Sequence, residues 1–163
     1  MPGALELPQE ARETLERWRA ARERIVFTNG VFDLVHFGHV EYLEDARQLG
    51  DRLVVGVNAD ASVRRLKGPT RPILPETERM DFLRALECID LVLPFEDDTP
   101  LRLIEAVAPD VLVKGGDWPV ESIVGRELVE ARGGRVLSIP LREGFGTSNR
   151  IERILAGKSA LDP

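Results

Sequence analysis

The chain is short of the residues that most often mark a chemistry on their own. It has a single cysteine, Cys88, among 163 residues. That excludes an intrachain disulfide framework and a cysteine-based zinc site, and it fits a reducing compartment. No apolar run approaches the roughly 20 residues that span a bilayer, so a membrane is not an expected partner. Positive charge is in deficit, with 22 Lys and Arg against 28 Asp and Glu and a formal net charge of -6. A duplex nucleic-acid binder carries a basic surface, so nucleic acid is not an expected partner either. A small anionic substrate is still admitted, because a local cluster of positive groups can sit on an acidic protein. The N-terminus, MPGALELPQEARETLERW, is charged and amphipathic, unlike a secretory signal, and the cytoplasm is the expected location. Histidine is also scarce: there are two, His36 and His39, and both fall within four residues.

What is present reads as alternating strands and helices. Short apolar runs at RIVFT (24–28), RLVVGVN (52–58), DLVLPF (90–95), DVLVKGGD (110–117) and RVLSIPL (135–141) predict five buried strands. Between them lie helical patterns: HVEYLEDARQLGD with a stop at Gly50, ASVRRLKG, ETERMDFLRALECI, TPLRLIEAVAP with Thr99 as N-cap and Pro100 as first helical residue, and GRELVEARGG. TSNRIERIL closes the order, with Ile151, Ile154 and Leu155 on its expected inner face. This order predicts a single α/β domain: a Rossmann-like, doubly wound, five-stranded parallel sheet with helices on both faces. Residues 1–23 read as an N-terminal helical extension, 24–157 as the main domain and 158–163 as a fraying tail.

Ligands of an open α/β sheet bind beyond the carboxyl ends of its strands. The segments expected there are TNGVFD, VNAD, KGGDW and REGFGTSN, rich in Gly, Asn, Asp, Ser and Thr. His36-Phe37-Gly38-His39 stands where the first strand gives way to the first main-domain helix. Unpaired N–H groups at such a helix start carry partial positive charge and suit phosphate. Gly30 and Gly38 allow close backbone approach, and two imidazoles in one turn can donate to phosphate oxygens, adding charge if protonated. Two packing histidines are the plain alternative. A zinc site is a third, but it lacks a nearby Cys or an H-E-x-x-H frame. The pair Gly115-Gly116 after a buried strand marks close approach by a ligand or another backbone. Lys67 and Arg71 flank a Gly-Pro turn that is either basic for a purpose or simply solvated. Asn149 and Glu152 have capping-box spacing. Trp118 either stacks on a ligand or covers a loop, and Cys88 reads as core.

TNGVFDLVHFGHVEYL resembles the H-x-G-H signature of the cytidylyltransferase-like nucleotidyltransferases. VNADASVRRLKGPTRPI, FEDDTPLRLIEAVAPDVLVKGGDW and GTSNRIERI are similar to the D-glycero-β-D-manno-heptose 1-phosphate adenylyltransferase domain of ADP-heptose synthases, over about residues 24–155. The resemblance implies transfer of AMP from ATP to a sugar 1-phosphate, giving an ADP-sugar and pyrophosphate, with Mg2+, in a homodimer. The sugar kinase would be a separate protein. It further implies catalytic roles for His36, His39, Lys67 and Arg79. Nucleotide contacts are implied for Thr28, Asn29, Gly30, Phe32, Gly38, Gly115, Asp117, Thr147 and Ser148, and no metal ligand is assigned in the protein. The last motif departs from the family: Gly146-Thr147-Ser148 replaces Ser-Thr-Thr, and Arg150 stands where an apolar residue is common. A cytidylyltransferase acting on glycerol 3-phosphate or a similar small phosphate is the alternative enzyme, and a nucleotide-binding domain without turnover the alternative class.

Overall fold

The structure is a computed structural model that describes residues 3–141, 146–159 and 161–162; residues 142–145 of the REGFGTSN segment lie outside the described residues. The elements run α1 (Gln9–Ala20), β1 (Ile25–Gly30), α2 (Phe37–Arg47), β2 (Arg52–Asn58), α3 (Asp60–Lys67), α4 (Glu76–Arg84), β3 (Leu91–Phe95), α5 (Leu101–Val107), β4 (Val111–Gly115), α6 (Arg126–Ala131), β5 (Arg135–Ile139) and α7 (Thr147–Leu155), with a 3₁₀ turn at Val120–Ser122. All five expected strands form, and all pair in parallel in the order β3-β2-β1-β4-β5. The order reverses between β1 and β4, the topological switch point of a doubly wound sheet.

Side-chain alternation builds two cores. In β1, Ile25 and Phe27 join one cluster and Val26 the other, as the period of two requires. The first cluster is covered by Leu103, Ile104 and Val107 of α5, Val129 of α6, and Ala11, Leu15 and Trp18 of α1. The second is covered by Tyr42, Leu43 and Ala46 of α2 and by Met80 and Leu83 of α4. α1, within the stretch read as an N-terminal extension, has an apolar face continuous with the main core.

Carboxylates fasten the amino ends of the strands. Asp51 accepts the Arg24 N–H at 2.7 Å, Asp110 the Ile25 N–H at 2.8 Å, and Asp90 the Leu53 N–H at 2.8 Å. Much of this structural acid thus lies at the end of the sheet opposite the strand ends where a site is expected.

Four local expectations differ from the structure. Pro100 flanks α5 rather than opening it, and accepts the Ile104 N–H at 2.8 Å, so Thr99 is not the cap. α4 ends at Arg84, and Leu86 and Ile89 close three-residue turns instead, so Cys88 is half-buried beyond the helix. Gly50 does not end α2 by a left-handed turn. It leaves room: a Cβ there would stand 2.8 Å from the Arg24 carbonyl and 2.7 Å from Val26 Cγ2. α7 starts at Thr147, one residue after Gly146, so Asn149 lies inside the first turn and caps nothing. Its expected inner face is also not covered among the described residues, with Ile154 and Leu155 exposed and Ile151 half-buried.

If α1 belongs to the core, Leu15→Ala, at a side chain 1% exposed, destabilises the protein by about 2–5 kcal/mol. Urea unfolding measures this, and a loss below about 0.5 kcal/mol, typical of a surface position, would make α1 an appendage.

Candidate active site

The switch point is a seam that opens. β1 pairs with β2 through all of Ile25–Gly30, but with β4 only at Val26↔Val111 and Phe27↔Leu112. Beyond Phe27 the two strands part, leaving Thr28, Asn29 and Gly30 on one side and Val113, Lys114 and Gly115 on the other. Tyr42 of α2 bridges this gap. Its hydroxyl donates to the Val113 carbonyl at 3.4 Å and shares a short hydrogen bond with Thr28 Oγ1. Burial pushes the phenol well above its ordinary range, and the Thr28 bond only partly opposes that, so Tyr42 stays a neutral brace.

The turn from β1 into α2 holds the histidines. His36 flanks the helix in an extended conformation and His39 is the third helical residue. The His36 backbone N–H donates to His39 Nδ1 at 3.3 Å, and the rings stack at 3.9 Å between centroids. A ring nitrogen that accepts a hydrogen bond carries no proton, so His39 is the tautomer with its proton on Nε2. Phe32 packs edge-on against His39 at 5.5 Å. Its φ of 51° lies in the left-handed region that bulky residues avoid, and its ring fills the space over Gly30, where a Cβ would come within 3.0 Å of it.

Both imidazoles are held neutral. Burial chiefly, then the charges of His36 and Arg150, lower His39 to about 4, and burial followed by Arg150 lowers His36. The site in the free protein therefore presents imidazole N–H donors rather than imidazolium charge. The same couplings place Arg150, the residue that departs from the family pattern, within electrostatic reach of the pair.

Arg79 does not lie on the surface as a lone helical arginine would. It is 0% exposed. Its guanidinium donates to the carbonyls of Leu74 (3.0 Å), Val31 (2.7 Å) and Asn58 (2.8 Å) and to Asp60 Oδ1 (2.8 Å). Those bonds tie the β1–α2 turn, the end of β2, the start of α3 and the approach to α4 to one point. In this arrangement Arg79 shapes the site and offers little to a phosphate.

Asp33 is the residue that sequence reading passed over. Its carboxylate is 1% exposed and accepts the Ile73 N–H at 2.9 Å, the Leu74 N–H at 2.9 Å and Arg71 Nε at 2.8 Å. Burial alone would raise it, but the Leu74 and Ile73 N–H groups and Arg71 outweigh that and hold it below the usual carboxylate range. Leu74 is thus held twice, its N–H by Asp33 and its carbonyl by Arg79. The signal in the sequence was an Asp three residues before the first histidine, where a buried charge needs a partner from elsewhere in the chain.

The other expected residues are less gathered. Gly38 is buried in the first turn of α2. Gly115 lies beside the Tyr42 ring, 3.4 Å from where its Cβ would be. Gly116 turns the chain at φ 108°, where glycine is favoured. Lys114, also missed, is half-buried with its ammonium 5.4 Å from the Trp118 ring centroid, and burial lowers its pKa. Lys67, Asp117 and Ser148 are exposed and Thr147 is half-buried. Among the described residues, the side chains of Lys67 and Asp117 make no hydrogen bond or ion pair that ties them to the histidines. No group of three or more His, Cys, Asp or Glu suited to a metal is found among the described residues, and no described helix is long and apolar enough to cross a membrane.

Two outcomes check this geometry. The depressed His39 pKa means the unfolded chain binds the proton first. Stability is then full above pH 6.5 and declines as pH falls toward about 4. His39→Gln should flatten the decline in urea midpoints between about pH 7 and about pH 5, and an unchanged slope would contradict the burial of His39. Arg79→Met leaves three carbonyls and a carboxylate without their donor. It should destabilise by about 3–5 kcal/mol, and a loss under about 1 kcal/mol in the same assay would mean that the network contributes little.

The comparisons agree with this architecture. A protein named bifunctional protein HldE from Syntrophotalea carbinolica is 56% identical over 151 residues, which is 93% of this chain and 31% of that protein. Its namesake from Citrifermentans bemidjiense is 58% identical over 142 residues, 87% of this chain and 29% of that one. The chain therefore spans less than a third of the curated relatives it matches. Among solved structures, the lipopolysaccharide core biosynthesis protein from Thermoplasma volcanium GSS1 superposes with a TM-score of 0.59 at 29% identity, covering 74% of this chain and 97% of that one. The cytidylyltransferase-like family matches residues 27–154, the span that holds the switch point, the histidine turn and the Asp33–Arg79 scaffold, and the chain belongs to that family.

Proposed function

We propose that the protein is a nucleotidyltransferase that joins the AMP moiety of ATP to a sugar 1-phosphate, D-glycero-β-D-manno-heptose 1-phosphate, releasing pyrophosphate. The observation that carries the chemistry is the pair of neutral, stacked histidines at the start of α2, beside the open seam between β1 and β4. The high identity to the HldE proteins supports ATP and the heptose phosphate over CTP and glycerol 3-phosphate. An enzyme that phosphorylates the sugar at its anomeric carbon must supply the acceptor.

The reaction needs no covalent intermediate on the protein. An oxygen of the sugar phosphate attacks the α-phosphorus, and the bond to the bridging oxygen of pyrophosphate breaks. Charge grows on the departing oxygens, and placed donors lower the barrier by meeting it there. In this reading the Nε2–H of His39, its tautomer fixed by the His36 N–H, donates to the departing phosphate together with His36 and the first N–H groups of α2. Thr28, Asn29, Gly30 and Phe32 border the nucleotide on the β1 side, and Gly115 and Asp117 on the β4 side. Thr147 and Ser148 at the start of α7 and the mobile-length side chain of Lys67 add phosphate contacts. Arg79 acts by position, through the turn it holds. Mg2+, which would neutralise phosphate charge, fits a site without a protein cage, since that ion commonly rides on substrate phosphates with few protein ligands.

The test is pyrophosphate release from ATP, CTP and GTP against heptose 1-phosphate, glycerol 3-phosphate and phosphocholine. ATP with heptose 1-phosphate should turn over fastest. Preference for CTP would install the cytidylyltransferase alternative, and turnover of no pair would leave a binding domain. On the active pair, His39→Ala should lower kcat by about 10²–10³, and a loss under threefold would remove the histidine from the mechanism.

A further inference from the structure

Arg71 is placed unlike the solvated lysines and arginines of the surface. Its side chain is 13% exposed and that of Asp33 is 1% exposed. One donor, Nε, is spent on Asp33 at 2.8 Å. Among the described residues its two Nη groups bond nothing. A guanidinium largely removed from water, with most of its N–H groups unused, is a fork prepared for an anion, and paired N–H groups match a phosphate in particular.

Its location selects which phosphate. Asp33 lies in the turn between β1 and α2, with Phe32 and its contact to His39 immediately before it. The segment 71–74 is bound to that turn through Asp33 and, at Leu74, through Arg79. It enters from the β2 and α3 side of β1, whereas the seam, Lys114 and Trp118 lie on the β4 side. In the function proposed above the nucleotide spans the seam between β1 and β4, which leaves the β2 side to the acceptor.

We propose that Arg71, oriented by Asp33, binds the phosphate of the acceptor substrate through its free Nη groups. This deepens the function proposed above and rests on it for the identity of the sugar, but it concerns the acceptor's phosphate alone. Asp33 serves as a positioning residue, turning the fork and anchoring the segment that carries it. Because Asp33 keeps the Ile73 and Leu74 N–H groups when Arg71 is changed, the fold has independent support.

The experiment is steady-state kinetics of Arg71→Gln and Arg71→Lys with ATP and heptose 1-phosphate varied in turn, beside thermal midpoints. For Arg71→Gln, KM for the sugar phosphate should rise by about 10- to 100-fold, with KM for ATP within about threefold of wild type. Arg71→Lys, which keeps the charge but not the fork, should fall between. A rise in KM for ATP equal to that for the acceptor, or an acceptor KM within about twofold of wild type, overturns the proposal. A purely structural role would lower the midpoint and move both KM values together. If wild type prefers another nucleotide or acceptor, the heptose reading fails, and the same split is read on the pair it does use. If wild type turns over no pair, calorimetric binding of each substrate alone replaces KM with the same criteria, and a phosphate acceptor that binds Arg71→Gln as tightly as wild type overturns the proposal.

Discussion

The hydrogen bond from the His36 N–H to His39 Nδ1 is the contact on which the site depends. It closes the first turn of α2 and leaves the proton of His39 on Nε2. Burial then keeps the ring uncharged, with a pKa of about 4, so the stacked pair is tolerated where two imidazolium ions would repel. Positive charge is thus not stored at this point before substrate arrives. The donors are oriented in advance, and such preorganised dipoles need little rearrangement when charge appears on a departing phosphate.

Around this contact, paired charges brace both ends of the sheet. Asp51, Asp90 and Asp110 hold the amino ends of the strands. At the carboxyl ends, the two most buried ionic groups, Asp33 and Arg79, do not face each other; they grip opposite sides of Leu74. Each is satisfied mainly by backbone groups, which avoids the penalty of a buried unpaired charge. Together they fix a segment that would otherwise be a loose Gly-Pro loop, and with it the place of Arg71.

The fold was legible because its signals are local: five short apolar runs, three of them closed by Gly or Asn, separated by helical periods. The histidine turn was legible for the same reason, as two rare residues in one turn. What sequence reading missed depends on contacts across the chain. Asp33 and Arg71 are 38 residues apart, and Arg79 reaches Val31 across 48. No period or spacing announces such partners, so Arg79 read as a phosphate ligand or an exposed charge and Asp33 was not singled out. Residues 1–23 read as an extension because amphipathic periodicity shows that a face will be buried without showing against what. The same limit applies to α7, whose apolar stripe was read as inward and is largely exposed among the described residues.

The protonation state of His39 is the most direct point of test. Nitrogen-15 NMR of the imidazoles at neutral pH distinguishes a protonated ring from either neutral tautomer. The account predicts a neutral His39 with its proton on Nε2 and Nδ1 in the chemical-shift range of a hydrogen-bond acceptor. A proton on Nδ1, or an imidazolium at neutral pH in the free protein, would contradict it.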